Sequence, residues 1–133
     1  MINVENLQFT YPKQEQPVLT QFHMAIQPGE IYCLLGPSGT GKSTIVGILT
    51  GAILGYEGKV SVAGNTPGSG NGDFQRRIGV CFEAPYFYPR LTAKENLLAI
   101  GNLYGTPLRK ILPIMERLGL QEAINLPVNQ FSK

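Results

Sequence analysis

Residues 36–44 read Gly36-Pro37-Ser38-Gly39-Thr40-Gly41-Lys42-Ser43-Thr44, and the first eight satisfy the pattern GxxxxGK[ST]. A loop of this composition turns successive backbone N–H groups into one concavity. Glycine is needed there because a side chain would keep phosphate oxygens away. The helix that follows aims the positive end of its dipole at the same place. Lys42 is spaced to reach the β- and γ-phosphates of a nucleotide as a point charge, and Ser43 to offer its hydroxyl to Mg2+. The apolar run at residues 31–35 precedes the loop, and an apolar-periodic helix over residues 43–54 is expected after it. That is the strand, loop and helix order this phosphate loop requires. The alternative is a Gly-rich turn that joins a strand to a helix and binds nothing.

Upstream of the loop, Ile2, Val4, Leu7, Phe9 and Tyr11 suggest a strand with one phase shift, as a bulge would give. Phe22, Met24 and Ile26 alternate with polar neighbours and predict a half-buried strand. The runs at residues 31–35 and 78–82 are continuous and apolar, the pattern of strands buried on both faces of a parallel sheet. Val60 and Val62 mark a short strand, and residues 65–72, with three Gly, one Pro and no charge, a surface loop. Asp73 is expected to cap a helix that starts at Phe74. Thr92-Ala93-Lys94-Glu95 has the spacing of a capping box. Thr106-Pro107 reads as an N-cap followed by Pro at the first helical position. Leu108, Ile111, Leu112, Met115 and Leu118 form the stripe of that helix, with Pro113 kinking it and Gly119 ending it.

The 133 residues suit one ordinary domain, and 43% hydrophobic with 15% charged residues describes a folded chain. Eleven basic and nine acidic residues leave a net charge of +2, too little to suggest nucleic acid or an anionic membrane as partner. The acids are eight Glu and a single Asp, Asp73, so chemistry that needs several aspartates is excluded. The first residues lack the basic start and apolar core of a signal peptide, and no apolar run is long enough to span a bilayer. Cys33 and Cys81 sit in short apolar runs without CxxC spacing and are expected to be buried thiols, which suits a cytoplasmic setting. His23, on the polar phase of its strand, is expected at the surface.

The nine residues GPSGTGKST, the aromatic Tyr11 in Phe9-Thr10-Tyr11-Pro12, the segment RIGVCFEAPYFYPRLTAKENL at residues 77–97, and Phe131-Ser132-Lys133 occur in one order. In that order they resemble the first half or more of an ABC-transporter ATP-binding subunit. The resemblance implies an α/β fold: a P-loop NTPase core of the RecA-like kind, an N-terminal antiparallel β subdomain and a partial helical subdomain, with an incomplete sheet. It places the β subdomain and core at about residues 1–90 and the partial helical subdomain at about 91–133. ATP and Mg2+ are the implied cofactors. Gly36, Pro37, Ser38, Gly39, Thr40, Gly41, Lys42, Ser43 and Thr44 would hold the triphosphate, and Tyr11 would stack on adenine. Read without the family, Tyr11 is a core residue at a strand end.

Glu83 stands where the family usually has a glutamine that helps hold Mg2+ and water. A carboxylate can still ligate the ion, but it adds negative charge and, when ionised, donates no hydrogen bond. A solvated loop glutamate is the other reading. The aromatics Tyr86, Phe87 and Tyr88 occupy the neighbourhood that meets the transmembrane subunits in the family, or else pack beneath the helical part. Phe131 and Ser132 match the first two positions of the signature motif, whose serine acts in trans on the nucleotide of a second subunit. Lys133 replaces its first glycine, a variant that, with the wording around Phe87-Tyr88-Pro89, resembles exporting members.

The implied function is ATP binding and hydrolysis coupled to movement of a substrate across a membrane. The implied partners are a second ATP-binding subunit, head to tail, and transmembrane subunits at the cytoplasmic face, without direct membrane insertion and without nucleic acid. The family's Asp-Glu pair at the end of an apolar strand is not among these residues, so hydrolysis by this segment alone is not expected. A module that binds nucleotide or a partner without turnover is the alternative. A GTPase or small-molecule kinase is another, although no Asp here offers the NKxD motif of guanine recognition.

Overall fold

The computed structural model describes residues 1–70, 72–81 and 87–131, and of Asp73 only the backbone. The chain falls into two compact units, Met1–Val80 and Cys81–Lys133.

The first unit is built on three antiparallel strands, β1 (Ile2–Phe9), β2 (Leu19–Ile26) and β3 (Glu57–Val62), in the order β2-β1-β3. The phase shift read in the first strand is present. Val4 faces Met24 and Leu7 faces Phe22, so two residues of β1 oppose the single residue His23. Asn6 takes the positive φ of 51° that the extra residue demands. Its N–H donates to Nδ1 of the exposed His23 at 3.4 Å. The shift brings Val4, Leu7 and Phe9 onto one face, where they pack with Leu19, Met24, Val60 and Val62 of the neighbouring strands. Helix α1 (Lys42–Leu49) adds Ile45 and Ile48 to that core, and helix α2 (Gly72–Arg77) adds Phe74.

Helix α1 ends five residues earlier than its apolar pattern suggests. Thr50 closes it with a hydroxyl bonded to the carbonyls of Val46 and Gly47, at 2.9 and 3.1 Å. Gly51 then turns left-handed at φ +76°. Its N–H donates to Ile48 and that of Ala52 to Gly47, the paired bonds of a glycine-terminated helix. Leu54, read as the last helical residue, is exposed beyond this stop. Asp73 lies inside α2 and does not precede it, because that helix begins at Gly72.

The two runs read as buried parallel strands do not form them. Residues 31–35 and the described part of 78–82 have no strand geometry, and Ile31 and Leu35 are 101% and 86% exposed. The side chains have the apolar character such strands need. Side chains along a strand point alternately to its two faces and are all buried only where other elements cover both; here Leu34 and Ile78 pack against the core, while Ile31 and Leu35 stay uncovered among the described residues. The same reason overturns the expectation of buried thiols, since Cys33 and Cys81 are both exposed.

The second unit contains α3 (Ala93–Leu103), α4 (Leu108–Arg117) and two short 3-10 helices, Glu122–Asn125 and Val128–Gln130. The capping box at the start of α3 is complete. Thr92 Oγ1 accepts from the N–H of Glu95 at 3.2 Å, and the Glu95 carboxylate accepts from the N–H and the hydroxyl of Thr92, each at 2.8 Å. In α4 the cap is Pro107 and no side chain bonds it, so Thr106 does not serve as expected. The helix runs on through Pro113 and ends where expected, with Gly119 bonded to Glu116 and Leu120 to Met115. Of its stripe, Met115 is buried, Leu108 and Ile111 are half-buried, and Leu112 and Leu118 are exposed.

The hydrogen bonds from the Thr92 N–H, and then from its hydroxyl, hold the exposed Glu95 carboxyl below its ordinary value. A carboxylate with a depressed folded-state value adds stability above its unfolded value, about 4.3, and that stability is lost as pH falls through the lower one. The unfolding midpoint of the second unit is therefore expected to drop as pH falls below about 4.3. In Glu95→Gln that part of the acid dependence should vanish, which thermal unfolding of the two chains across pH 2.5–5 (about this range) would show.

Candidate functional site

The site is built at the junction of α1 and the loop before it. Gly41 immediately precedes the helix at φ +86°, and no side chain caps the first turn. The N–H groups of that turn, which have no partner within their own helix, are left for a ligand. Glycine suits this position, chiefly by its backbone and secondarily by its lack of a side chain. The φ is left-handed, and a Cβ would lie 2.7 Å from Leu19 Cδ2 and 3.1 Å from Val18 Cγ1. At Gly39, φ +85°, a Cβ would meet nothing within 4 Å, so that stretch of loop borders open space.

Lys42 folds back along the loop. Its ammonium donates to the carbonyls of Gly36 and Pro37 at 2.8 and 2.6 Å and lies 3.4 Å from Thr40 Oγ1. Thr40 in turn donates its hydroxyl to the Pro37 carbonyl at 2.9 Å. Gly36, Pro37 and Thr40 thus shape the loop and hold the cation, while Ser38, Gly39, Gly41, Lys42, Ser43 and Thr44 line an open cleft of about 550 Å³. Such a lining, an ammonium and hydroxyls beside uncapped backbone N–H groups, is a donor set for a polyanion.

Tyr11 lines the same cleft. The two roles read for it in the sequence are not exclusive. The half-buried ring packs against the core and meets Phe9 edge-on, with centroids 4.9 Å apart and planes at 83°. Its hydroxyl is 2.9 Å from Oγ1 of the buried Thr44, which joins the strand-end aromatic to the first turn of α1. Gln14 and Val18, which no motif in the sequence marks, complete the wall. Val18 could have been noticed as an apolar residue just after a Pro-bracketed turn; Gln14 carries no such signal. Glu83, Tyr86, Ser132 and Lys133, the other candidates for the site and its partners, lie outside the described residues.

Tyr11→Phe keeps the ring but leaves the buried Thr44 hydroxyl without this partner. The expected loss is about 1 kcal/mol of unfolding free energy, measured by urea denaturation.

A family model described as ABC transporter matches residues 19–133. The chain belongs to the ABC transporter family. A fluoroquinolones export ATP-binding protein of Mycobacterium tuberculosis is 35% identical over 133 residues, covering 100% of this ABC transporter chain and 44% of that relative. The chain thus spans less than half the length of that protein. Among solved structures, an ATP-binding subunit of an ABC transporter superposes with a TM-score of 0.83 at 26% identity, over 99% of this chain and 56% of that one. A dimeric ATP-binding cassette, in a post-hydrolysis state bound to ADP and Pi, gives 0.79 at 25% identity, over 99% and 63%. The α/β fold with an antiparallel β subdomain and an incomplete sheet is that of the family. No helix among the described residues is long and apolar enough to cross a membrane.

Proposed function

We propose that the chain is the nucleotide-gripping part of an ATP-binding subunit that powers movement of a substrate across a membrane. The observation that carries this reading is the cleft in which Lys42, the first turn of α1 and Tyr11 converge. Lys42 would set its positive charge against the β- and γ-phosphates, and the N–H groups after Gly39 and Gly41 would bind the remaining oxygens. The Tyr11 ring would support adenine, with Val18 beside it. Stacking needs only a flat face, so it lends little base selectivity. Ser43 fits Mg2+ by its hydroxyl and its exposed place on the cleft. Glu83 would be the second ligand and Ser132 would act on the nucleotide of a partner subunit. Mg2+ supplies charge neutralisation between the outer phosphates.

The division near residue 90, between the part that grips nucleotide and a helical part, belongs to the same proposal. So do a head-to-tail pair of subunits and a place at the cytoplasmic face beneath transmembrane subunits. The exposed Phe87 and Tyr88 suit such a contact. A relative named for fluoroquinolones export favours the exporting branch for this chain.

Binding without turnover is the second reading for these 133 residues, favoured by one observation. The single Asp is on α2 and not at the end of an apolar strand. Calorimetric titration of the chain with ATP in Mg2+ is expected to show saturable binding at one site, with no phosphate release above buffer. Absence of saturable binding overturns the first reading; release above buffer overturns the second.

A further inference from the structure

Among the described residues of the second unit, one polar side chain is fully buried. Asn96, in the first turn of α3, is 2% exposed. A buried amide is tolerable only when both its ends are bonded, and here they are. Oδ1 accepts from the backbone N–H of Tyr88 at 2.8 Å. Nδ2 donates toward the carbonyls of Thr92 (3.0 Å), Tyr88 (3.1 Å) and Leu91 (3.3 Å). Only the Thr92 bond lies within the helix start, where a short polar side chain ordinarily bonds its own backbone. The others reach out to the turn at residues 88–91 and close it against α3.

That turn is bonded from another side as well. Val128 donates to the Leu91 carbonyl at 3.0 Å, Asn129 to Pro89 at 3.0 Å, and Ala93 to Leu126 at 3.1 Å, with Thr92 facing Pro127 in an antiparallel bridge. The Leu91 carbonyl is thus shared by the Asn96 amide and Val128. At one end of the assembly stand the exposed rings of Phe87 and Tyr88. At the other is Phe131, whose N–H donates to Val128 at 3.1 Å.

We propose that Asn96 is a positioning residue: by closing the turn at 88–92 against α3 it fixes the backbone groups to which the segment at 126–129 is bonded, so that displacement of the Phe87–Tyr88 rings is passed to Phe131. An apolar residue of the same size would fill the space but bond neither the N–H nor the carbonyls, and the turn would hold to α3 only through its own backbone. The use of this link in transport rests on the reading of Phe87 and Tyr88 as a contact for a transmembrane partner. The link itself does not depend on that reading.

Amide hydrogen exchange and chemical shifts of the full chain test it. Asn96→Asp keeps the acceptor for Tyr88 but turns a charge toward three carbonyls. The amides of Val128, Asn129 and Phe131 are expected to exchange at least tenfold faster (about one power of ten), with β1 and α1 unchanged. Faster exchange at Tyr88 alone overturns the proposal. If protection is lost throughout α3, Asn96→Ser, short enough to bond only its own helix, is judged by the same comparison. Tyr88→Ala, a surface change, is expected to shift the Phe131 amide resonance when Asn96 is present and not in the Asn96→Leu background. Equal shifts in both backgrounds overturn the proposal. Neither measurement uses nucleotide, so failure of ATP binding and failure of the link are told apart.

Discussion

Lys42→Ala is expected to lower the affinity of the chain for ATP about a hundredfold, roughly 2.7 kcal/mol, with a much smaller change in folding stability. The ammonium in the structure is bonded to the carbonyls of Gly36 and Pro37. Binding would therefore add phosphate contacts to a cation that already has partners, and the gain is less than the sum of isolated charge-assisted bonds. Each such bond contributes about 1.5–3 kcal/mol, and two of them less that offset give the figure above. Folding is affected less because these bonds lie at the surface of an exposed loop and water replaces them. Lys42→Met, which keeps most of the stem, should lose the same affinity if charge is what matters. ADP, which lacks the γ-phosphate, should lose less than ATP. Titration calorimetry of both nucleotides with the three chains checks this. An affinity loss that followed stem length, with Met close to Lys, would show packing and not charge to be the contribution of this residue.

What could be read in the sequence was what depends on near neighbours along the chain. The glycine-rich turn into α1, the bulge in β1 and the capping box at Thr92 are each set by a few consecutive residues, and all three are in place. Expectations failed where burial depends on distant partners. Residues 31–35 carry the right side chains for a central strand, yet Ile31 and Leu35 face solvent because no element among the described residues covers them. Tyr11 could be seen as an aromatic at a strand end. Its bond to Thr44, 33 positions on, could not, since nothing local links them. Asn96 was invisible for a different reason. A polar residue within an apolar-periodic helix reads as surface, and only the turn folding back over α3 buries it. The helix ends were misjudged by a few residues where two stop signals compete, as at Gly51 and Gly55. The first to be reached ended α1.

Phe74→Ala is expected to reduce the unfolding free energy by about 3–5 kcal/mol, a large part of the roughly 5–15 kcal/mol available to a domain. Phe74 is 1% exposed, heads the largest fully buried side chains, and belongs to the core cluster that also holds Leu7, Ile48 and Val60. It is also what ties α2 to the core: the helix has six residues, too few to persist alone, and its sequence Gly-Asp-Phe-Gln-Arg-Arg offers no second apolar side chain. Removing the ring therefore leaves a cavity and frees the helix. Phe74→Leu, which keeps most of the volume, should cost about 1 kcal/mol. Urea denaturation followed by circular dichroism measures both. The same variant joins stability to the site, because Ile45 and Ile48 of α1 share this core. A ligand that binds only the folded unit adds back about 2.7 kcal/mol at a concentration a hundred times its dissociation constant. ATP with Mg2+ is thus expected to restore most of the lost midpoint in Phe74→Ala. At the same ATP concentration it should restore little in the double variant with Lys42→Ala, where that concentration only matches the weakened constant. Full restoration in the double variant would mean that ATP is held somewhere other than the Lys42 cleft.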